Sequence, residues 1–396
     1  MKEKTLLMMP GPTPIPPSLL QAIAKPPIGH RSPEFSAIVH ECYENLKYIF
    51  QTQNDVFIHT ASGTGAMCSA LENILNPEDR ILCLSIGVFG ERWAQIAKSR
   101  GACVEILEAK FGEVIDPQEL ENYLSTHPPF KAITLTHSET STGAANDIKT
   151  LCGIIKKHGA LCIVDAITSL CAMPCCMDSW GIDVLVSSSQ KGFMLPAGIS
   201  FIAVSEAGMR AHEACLAPSF YFNWRAHKEA LDNHTTPFTP AINLIIALRE
   251  SLQMLKQEGL ENLHAKHRRH ALAIRESIRA LGLKLLVEED RNASFAATAI
   301  LPPRGIEVRE IRQILKEDYD IIVSNGQRVL ENRIFRIGTL GFISDRDILS
   351  MVSALEGTLL KLGYGFRIGA GLEAAIKRLE QLKRIKKGGG RQKGIG

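Results

Sequence analysis

The stretch DVLVSSSQKGFMLPAGISFIAV, residues 183–204, places a single lysine between two apolar runs. Each run is short and bounded by turn residues, which is typical of a buried strand. Lys191 therefore lies where the first of these strands should end. Most lysines at such a position are solvated turn residues. The alternative is an amine in a pocket, kept neutral enough to form a Schiff base with a carbonyl group.

Similar apolar runs alternate with segments of helical period from about residue 55 to residue 205. They are DVFIHT, RILCLSIG, KAITLTH and LCIVDA, followed by DVLVSSS and ISFIAV. This alternation predicts an α/β fold with a mostly parallel sheet, helices on both faces, and ligands at the carboxyl ends of the strands. Shorter strands and helices near the end of the chain predict a second, smaller α+β domain.

The chain has 396 residues, which is more than one compact core usually holds. We predict an N-terminal arm over residues 1–20, a large domain over 21–258 and a small C-terminal domain over 259–376. The remaining residues, 377–396, are the basic sequence KRLEQLKRIKKGGGRQKGIG. We expect this tail to be a helix end that runs into disordered sequence, and a weak contact with RNA or an anionic surface stays open.

The composition is that of an ordinary globular protein, with 45% hydrophobic and 22% charged residues. A formal net charge of +3, carried largely by the tail, gives no reason to expect a specific nucleic-acid partner. No apolar run approaches the roughly 20 residues that span a membrane, and prolines interrupt the N-terminus before a signal-peptide core is complete. Ten cysteines without a secretion signal favour reduced thiols in the cytoplasm. Cys171, Cys175 and Cys176 lack paired spacing and a nearby histidine, so no metal site is predicted.

Two further features lie at predicted strand ends. Gly63, Thr64 and Gly65 stand between a strand and a helix, where free backbone N–H groups form a cradle for an anion such as phosphate. A tight turn with a helix cap explains the same residues equally well. Asp165 ends the apolar run LCIVD, and a buried carboxylate needs a positive partner, although a cap or turn aspartate is the alternative. A phosphate cradle, an aspartate for a pyridine nitrogen and a strand-end lysine are what pyridoxal phosphate requires of a protein.

Eight motifs extend this pattern along the chain. In order, they are PGPTPIP, GHRSPEF, SGTGAM, GVFGERW, HSETSTG, VDAITSL, SSSQKGF and FRIGTLG. From about residue 8 to residue 365 the chain resembles the class V aminotransferases of fold type I, and the alanine–glyoxylate and serine–glyoxylate aminotransferases form the nearest branch. The resemblance implies a homodimer that carries out ping-pong transamination through pyridoxamine phosphate.

The same resemblance assigns cofactor contacts residue by residue. Lys191 would bind the cofactor covalently and act as the base, and Asp165 would pair with the pyridine nitrogen. Phe89 would stack on the ring, although alone it reads as a core aromatic, while Thr140 would bind the ring hydroxyl and Ile167 would pack under the ring. The phosphate would be held by Thr64, Gly65, Ala66 and Gln190.

In the family, the neighbouring subunit completes the phosphate site, and the matching segment here is LDNHTTPFTP, with Thr235 as the donor. Some relatives have a tyrosine three residues earlier, where this chain has Asp232. An acid beside a phosphate would be repulsive. Either Asp232 points away, therefore, or Asn233 or Thr236 takes the place of Thr235.

Arg336, in RIFRIGTLG, matches the arginine that grips the substrate carboxylate in the family, because a planar guanidinium can hold a carboxylate bidentately. An ordinary strand arginine is the alternative. Ser169 and the backbone near Gly11 would help. We recognise no second cationic residue for a distal charge, so the expected donor is alanine or serine and the expected acceptor glyoxylate or pyruvate.

Other functions stay open at this stage. Within the fold, the alternatives are a transaminase for 2-aminoethylphosphonate or ureidoglycine, or a cysteine desulfurase. A desulfurase needs a nucleophilic cysteine in the C-terminal half, whereas the last cysteine is Cys215. Outside the enzymes, the alternative is a non-catalytic subunit of a larger complex.

Overall fold

The computed structural model describes the backbone of residues 5–389 and the side chains of residues 5–381. In chain order, its strands are β1 Leu6–Met8, β2 Asp55–His59, β3 Arg80–Ser85, β4 Cys103–Glu108, β5 Ala132–Thr136, β6 Ser138–Glu139, β7 Ala144–Ala145, β8 Leu161–Asp165, β9 Val184–Ser188, β10 Ser200–Val204, β11 Lys284–Leu285, β12 Ala297–Leu301, β13 Ile321–Asn325 and β14 Phe335–Gly338. Its α-helices are α1 Pro17–Ile23, α2 Pro33–Phe50, α3 Gly63–Glu72, α4 Val88–Ser99, α5 Pro117–Thr126, α6 Ile148–Lys157, α7 Met177–Trp180, α8 Glu206–Glu213, α9 Trp224–Asp232, α10 Ile242–Glu258, α11 Leu260–Ala280, α12 Val308–Tyr319, α13 Asp345–Lys361 and α14 Ala370–Gly389.

A seven-stranded sheet forms the centre of the large domain, in the order β2-β10-β9-β8-β5-β3-β4. All neighbours are parallel except β10, which runs antiparallel to both β2 and β9. Alternate residues of one strand enter different apolar cores, since Leu82 and Leu84 face one core while Ile81 and Cys83 face the other. Helices thus cover both faces, which is why the strands are almost continuously apolar. The predicted α/β architecture is confirmed.

A second sheet of five strands has the order β1-β13-β14-β12-β11. The N-terminal strand β1 runs parallel to β13, with Leu6 opposite Ile321, whereas the other neighbours are antiparallel. Apolar residues of this sheet pack against α11, α12, α13 and α14 in a core of their own. The beginning of the chain therefore completes the small sheet, although the exact domain boundaries stay predictions.

The C-terminal tail begins inside the last helix. Helix α14 runs from Ala370 to Gly389, so the tail begins as a helix end, as expected, and the helix covers more of it than its composition suggests. Ala375 and Leu379, spaced four residues apart, are buried in the core of the small domain. This apolar pair holds the helix against α11 through the first residues assigned to the tail. Residues 390–396 lie outside the described part of the chain.

Helix starts show which ends are available to a ligand. Several helices are capped by the side chain of the residue just before them. Ser32, for example, precedes α2 and accepts a hydrogen bond from the Phe35 N–H group at 3.2 Å. Helices α3 and α4, which follow β2 and β3, have no such side-chain cap. Within residues 5–389, no helix is both long and apolar enough to cross a membrane.

Candidate functional site

The candidate residues meet at the carboxyl edge of the large sheet. Asp165 is the last residue of β8, and Lys191 follows the end of the neighbouring strand β9. The charge of each one shifts the pKa of the other, and Arg336 of the small sheet also acts on Lys191. The fold thus gathers residues that are far apart in the sequence, because parallel strands end at the same edge.

Lys191 lies in an enclosed position against the N-terminal arm. Its Nζ donates a hydrogen bond to the Pro10 carbonyl oxygen at 3.1 Å. A Cβ atom on Gly11 would lie 2.4 Å from this Nζ, so only glycine leaves room for the amine. Burial lowers the pKa of Lys191 to about 8, because it outweighs the opposing attraction of Asp165. This environment suits a nucleophilic amine better than a solvated turn residue.

The arm is fastened over Lys191 by a second residue. The Thr13 N–H group donates to the Gln190 carbonyl oxygen at 3.2 Å, and the Thr13 hydroxyl donates to the Lys191 carbonyl oxygen at 3.0 Å. On its other side, a Cβ atom on Gly341 would meet the Thr13 Oγ1 at 2.8 Å. The arm is therefore held between the lysine loop and the small domain.

Asp165 is a buried carboxyl group with 3% of its surface exposed. Its Oδ1 accepts a hydrogen bond from the Ile167 N–H group at 2.7 Å. Burial raises the pKa of Asp165 to about 7, and the neighbouring Glu139 raises it further, whereas this hydrogen bond and the Lys191 charge lower it. A cation placed beside this carboxyl group would restore its ionised form. The protonated pyridine nitrogen of a cofactor fits that requirement.

The start of α3 forms the predicted cradle. A Cβ atom on Gly63 would lie 2.7 Å from Ile167 Cδ1 and 3.0 Å from Ser188 Oγ, so the glycine allows close packing. Within the described residues, the buried Ser188 Oγ and Gln190 Oε1 have no hydrogen-bond partner. Such orphaned groups call for an explanation, and a bound polar group supplies one. The Ser188 hydroxyl and the start of the helix can donate to a phosphate, whereas the Gln190 Oε1 atom can only accept a hydrogen bond.

The residues predicted to contact the cofactor ring lie in the same region. Phe89, at the start of α4, is half-buried, unlike the fully buried Trp93 one turn later. Ile167 is buried beside Gly63, on the other side of the cradle. The Thr140 hydroxyl lies 2.8 Å from the Thr168 hydroxyl, in a hydrogen bond that either group can donate. Their roles toward a cofactor remain predictions.

Glu139 is a central residue of the site that sequence reasoning missed. It is fully buried, and one carboxylate oxygen accepts from the Ser141 N–H and hydroxyl groups at 3.0 and 2.6 Å. The other accepts from the N–H groups of Phe89 and Gly90 at 3.0 and 3.3 Å. Burial raises the pKa of Glu139, while these hydrogen bonds lower it. Glu139 thus caps the start of α4 although it belongs to strand β6. The signal in the sequence is that Gly87, the residue before the helix, has no side chain that could cap it.

Arg336 is buried, with 5% of its surface exposed, and is held by two backbone carbonyl groups. Its Nη1 donates to the Thr140 oxygen at 2.6 Å, while Nε and Nη2 donate to the Asn325 oxygen at 2.9 and 2.7 Å. A guanidinium has five N–H groups, so one N–H on each terminal nitrogen remains for a ligand. Burial lowers the pKa of Arg336 to about 10, which leaves it charged at neutral pH.

Ser169, predicted to assist Arg336, is fully buried, and its hydroxyl has no hydrogen-bond partner within the described residues. Its place after β8, four residues beyond Asp165, puts it in the same loop as Ile167. A free hydroxyl there is available to a ligand. The assistance that Ser169 would give to Arg336 remains a prediction.

The segment expected to act across a dimer makes contacts with its own chain. The Thr235 Oγ1 accepts a hydrogen bond from Arg31 at 2.6 Å, and the Thr235 carbonyl oxygen accepts from the Tyr43 hydroxyl at 3.3 Å. Asp232 pairs with Lys228 at 3.0 Å. The acid that would repel a phosphate is therefore paired with a lysine on the same helix, which it shares with Asp55 at 3.0 Å.

The two alternatives to Thr235 differ, because the Thr236 hydroxyl hydrogen is engaged while Asn233 uses one of its two amide N–H groups. The Asn233 side-chain amide donates to the Glu229 carbonyl oxygen at 2.8 Å, and the Thr236 hydroxyl donates to the Phe238 carbonyl oxygen at 2.8 Å. The Thr235 hydroxyl only accepts, so its hydrogen stays available for a further bond. Thr235 and Asn233 each keep a donor for a phosphate, and the assignment of Thr235 remains a prediction.

The chain matches known proteins over nearly its whole length. It is 45% identical to the soluble hydrogenase 42 kDa subunit of Anabaena cylindrica, over 95% of this chain and 99% of that protein. It is 33% identical to the L-aspartate–glyoxylate aminotransferase of Paracoccus denitrificans, over 96% of this chain and 98% of that protein. The alanine–glyoxylate aminotransferase structure from Nostoc sp. superposes with a TM-score of 0.87 at 31% identity, over 91% of this chain and 96% of that chain.

A family model covers the same region and includes every candidate site residue named above. The model described as aminotransferase class-V matches residues 5–343. Together with the superposition and the identities, this confirms the family and the fold suggested by the eight motifs. The chain belongs to the class V aminotransferases, a family of pyridoxal-phosphate-dependent transaminases.

Proposed function

We propose that this enzyme transfers the amino group of a small amino acid, such as alanine or serine, to a small 2-oxo acid, with glyoxylate ahead of pyruvate. The observation that supports this most directly is the Arg336 guanidinium, which has two N–H groups left after its backbone contacts. Two parallel N–H groups match one carboxylate. Donor and acceptor would use this grip in turn.

Pyridoxal phosphate is the cofactor we propose for the site. Lys191 would hold it covalently, Asp165 would pair with its ring nitrogen, and Phe89 and Ile167 would enclose its ring. The phosphate would lie at the start of α3, where the buried Ser188 hydroxyl has no partner within the described residues and can donate to it. When bound, pyridoxal phosphate supplies an electron sink for a carbanion at the substrate Cα.

Lys191 would handle the proton that leaves the substrate Cα. The Lys191 amine, whose pKa burial lowers to about 8, is neutral often enough at physiological pH to accept that proton. The Arg336 charge, which also lowers the pKa of Lys191, would be neutralised when it binds the substrate carboxylate. Asp165 would keep the ring nitrogen protonated, as a fixed negative charge in a buried position.

The substrate assignment is tested by a panel of donors and acceptors. We expect kcat/KM with glyoxylate to be highest for alanine or serine, and lower for glutamate, aspartate and 2-aminoethylphosphonate. Arg336→Lys should slow both half-reactions by about ten- to hundred-fold, since losing a bidentate charged contact costs about 1 to 3 kcal/mol. Single-turnover absorbance measures each half-reaction. A preference for a distal acidic group, or a mutant impaired in one half-reaction only, would contradict the proposal.

The Anabaena relative is named as a hydrogenase subunit, which raises a second candidate function as a subunit of a hydrogen-oxidising complex. Its 45% identity over nearly the whole chain is the observation in favour. The enclosed Lys191 and Asp165 support aminotransferase activity, whether or not the protein also belongs to such a complex. The purified protein should absorb light as a pyridoxal phosphate enzyme and form 2-oxo acid from alanine. Hydrogen-dependent dye reduction without transamination would favour the second function.

A further inference from the structure

Arg92 is a cation in the site to which no role has yet been assigned. It lies on the first turns of α4, and its Nη1 donates a hydrogen bond to the Thr64 hydroxyl at 3.2 Å. Its guanidinium carbon lies 4.6 Å from the centroid of the Phe89 ring. One side chain therefore contacts both the cradle at the start of α3 and the aromatic residue proposed to cover the cofactor ring.

The Arg92 charge lowers the pKa of the buried Asp165 but is not held in a direct ion pair within the described residues. Among the described side chains, no carboxylate forms an ion pair with Arg92, and its neighbour Glu91 pairs with Arg328 instead. Arg92 is partly buried, so water screens its charge only in part. A partly desolvated guanidinium beside a hydroxyl and an aromatic ring is well placed to bind an anion.

The surroundings of Thr64 offer donors to the same anion. Helix α3 begins without a side-chain cap. The Gly65 and Ala66 N–H groups donate to the Ser62 carbonyl oxygen at 2.8 and 3.3 Å, so the Gly63 and Thr64 N–H groups are the ones left at the helix start for an anion. Behind Gly63, the fully buried Ser188 hydroxyl has no partner within the described residues, and it lies 3.0 Å from where a glycine Cβ would be. The cation, the helix start and the hydroxyl converge on one region of the site.

We propose that Arg92 is a further cofactor-binding residue, which pairs with the phosphate at the start of α3 and holds Phe89 through its ring face. This inference rests on the proposed function, because it requires pyridoxal phosphate in the site. The same chemistry could serve the distal carboxylate of a dicarboxylic substrate. The contact with Thr64 favours the cofactor phosphate, because Thr64 belongs to the cradle rather than to the Arg336 region.

The test compares the apo-protein's affinity for pyridoxal phosphate with that for pyridoxal, which lacks the phosphate. Arg92→Gln removes the charge and keeps an amide that can reach Thr64. We expect its dissociation constant for pyridoxal phosphate to rise about ten- to hundred-fold, as for a lost hydrogen bond to a charged group. Affinity for pyridoxal should change less than about twofold. Lys98→Gln removes the same charge from an exposed position on α4 and should leave both affinities unchanged.

Three results would overturn the inference. Equal weakening of both ligands would show that Arg92 only supports Phe89, and unchanged affinities would remove it from the site. A raised KM for aspartate relative to alanine, with pyridoxal phosphate affinity unchanged, would assign Arg92 to a substrate carboxylate. If Arg92→Gln does not fold, Arg92→Lys replaces it and should weaken pyridoxal phosphate several-fold but not pyridoxal. Failure of the wild-type protein to bind pyridoxal phosphate would instead contradict the proposed function.

Discussion

Burial lowers the pKa of Lys191 and raises the pKa of Asp165, compared with the same groups in water. The lysine has a pKa of about 8 and the aspartate a pKa of about 7, so both titrate close to neutral pH. Such shifted values at a strand edge are frequent in functional sites. Each has a measurable consequence in the cofactor-free protein.

The first prediction concerns Lys191. Only the neutral amine attacks an aldehyde, so the rate of cofactor uptake should rise with pH and level off above about 8. Lys191→Ala should abolish the cofactor bond that borohydride fixes and lower turnover at least about a hundred-fold. Peptide mapping after reduction identifies the labelled residue, and exposed Lys98→Ala serves as the control. Labelling of another lysine would show that Lys191 is misassigned.

The second prediction concerns Asp165 and stability. Its folded pKa is raised, so its favourable contribution is present at low pH and is lost as pH rises through about 7. Above that pH the native protein carries a buried charge. Asp165→Asn removes this cost. At pH 8 it should therefore raise the free energy of unfolding of the apo-protein by on the order of a few kcal/mol, and the melting temperature should rise with it. The difference should shrink toward pH 5.

The same variant should lose most activity, because an amide cannot hold the pyridine nitrogen proton by its charge. Pyridoxal phosphate should therefore stabilise the wild-type protein more than Asp165→Asn. Scanning calorimetry with and without cofactor, at both pH values, measures these effects. An apo-variant that melts no higher than the wild type at pH 8 would count against the buried charge, and normal turnover against its role.

Among single residues, the sequence predicted those that lie inside a recognisable motif. Lys191 and Asp165 come at the ends of recognisable apolar runs, Arg336 lies in a motif that resembles the family's, and the structure brings all three together. Glu139 and Arg92 were missed because their contacts join separate parts of the chain. Nothing local to HSETSTG shows that its acid caps helix α4, and nothing local to GVFGERW shows that its arginine reaches Thr64.

Among the elements, the N-terminal arm has a more specific place than the sequence indicated. The sequence predicted only an N-terminal arm over residues 1–20, and the structure shows a strand followed by a turn that covers Lys191. The pairing of β1 with β13 could not be predicted, since three residues carry no signal for a partner so distant along the chain. Helix α14 shows the same limit, because its basic composition concealed the buried pair Ala375 and Leu379.

The third prediction tests the arm through Gly11. Its φ of +145° is one that other residues rarely adopt, and an added Cβ would overlap the Lys191 amine. Gly11→Ala should displace Lys191 or the arm and lower kcat/KM about tenfold or more. The far-ultraviolet circular dichroism should be unchanged. Gly153→Ala, at a helical position with open space around it, is the matched control and should retain full activity. Full activity in Gly11→Ala would show that the arm tolerates movement.

For the whole molecule, the sequence predicted the large, mostly parallel sheet well, because period and strand length are local properties. It did not predict that residues at both ends of the chain share the small sheet. The predicted homodimer is a question at this scale. An exposed aromatic group that includes Phe220 lies near Phe238 and the Thr235 segment, on a surface suited to a second copy.

The fourth prediction concerns that homodimer. If Thr235 completes the site of the other subunit, Thr235→Val should lower cofactor affinity about tenfold, as for a lost charged hydrogen bond. Coexpression with Lys191→Ala should restore activity, because one site of each heterodimer would then have both an intact lysine and an intact threonine. Sedimentation of the wild type should show a dimer. Absence of recovery, or an active monomer on dilution, would contradict shared sites.

The pairing of Leu6 with Ile321 also sets an order of events during synthesis. The first strand leaves the ribosome long before its partner exists, and such distant contacts form late because a long loop must close first. A nascent chain can therefore complete the large sheet while Pro10 and Gly11 still lack the strand that fixes them over Lys191. We expect stalled chains to retain cofactor only after residue 325 and its neighbours have emerged, so the catalytic pocket is among the last parts of the molecule to mature.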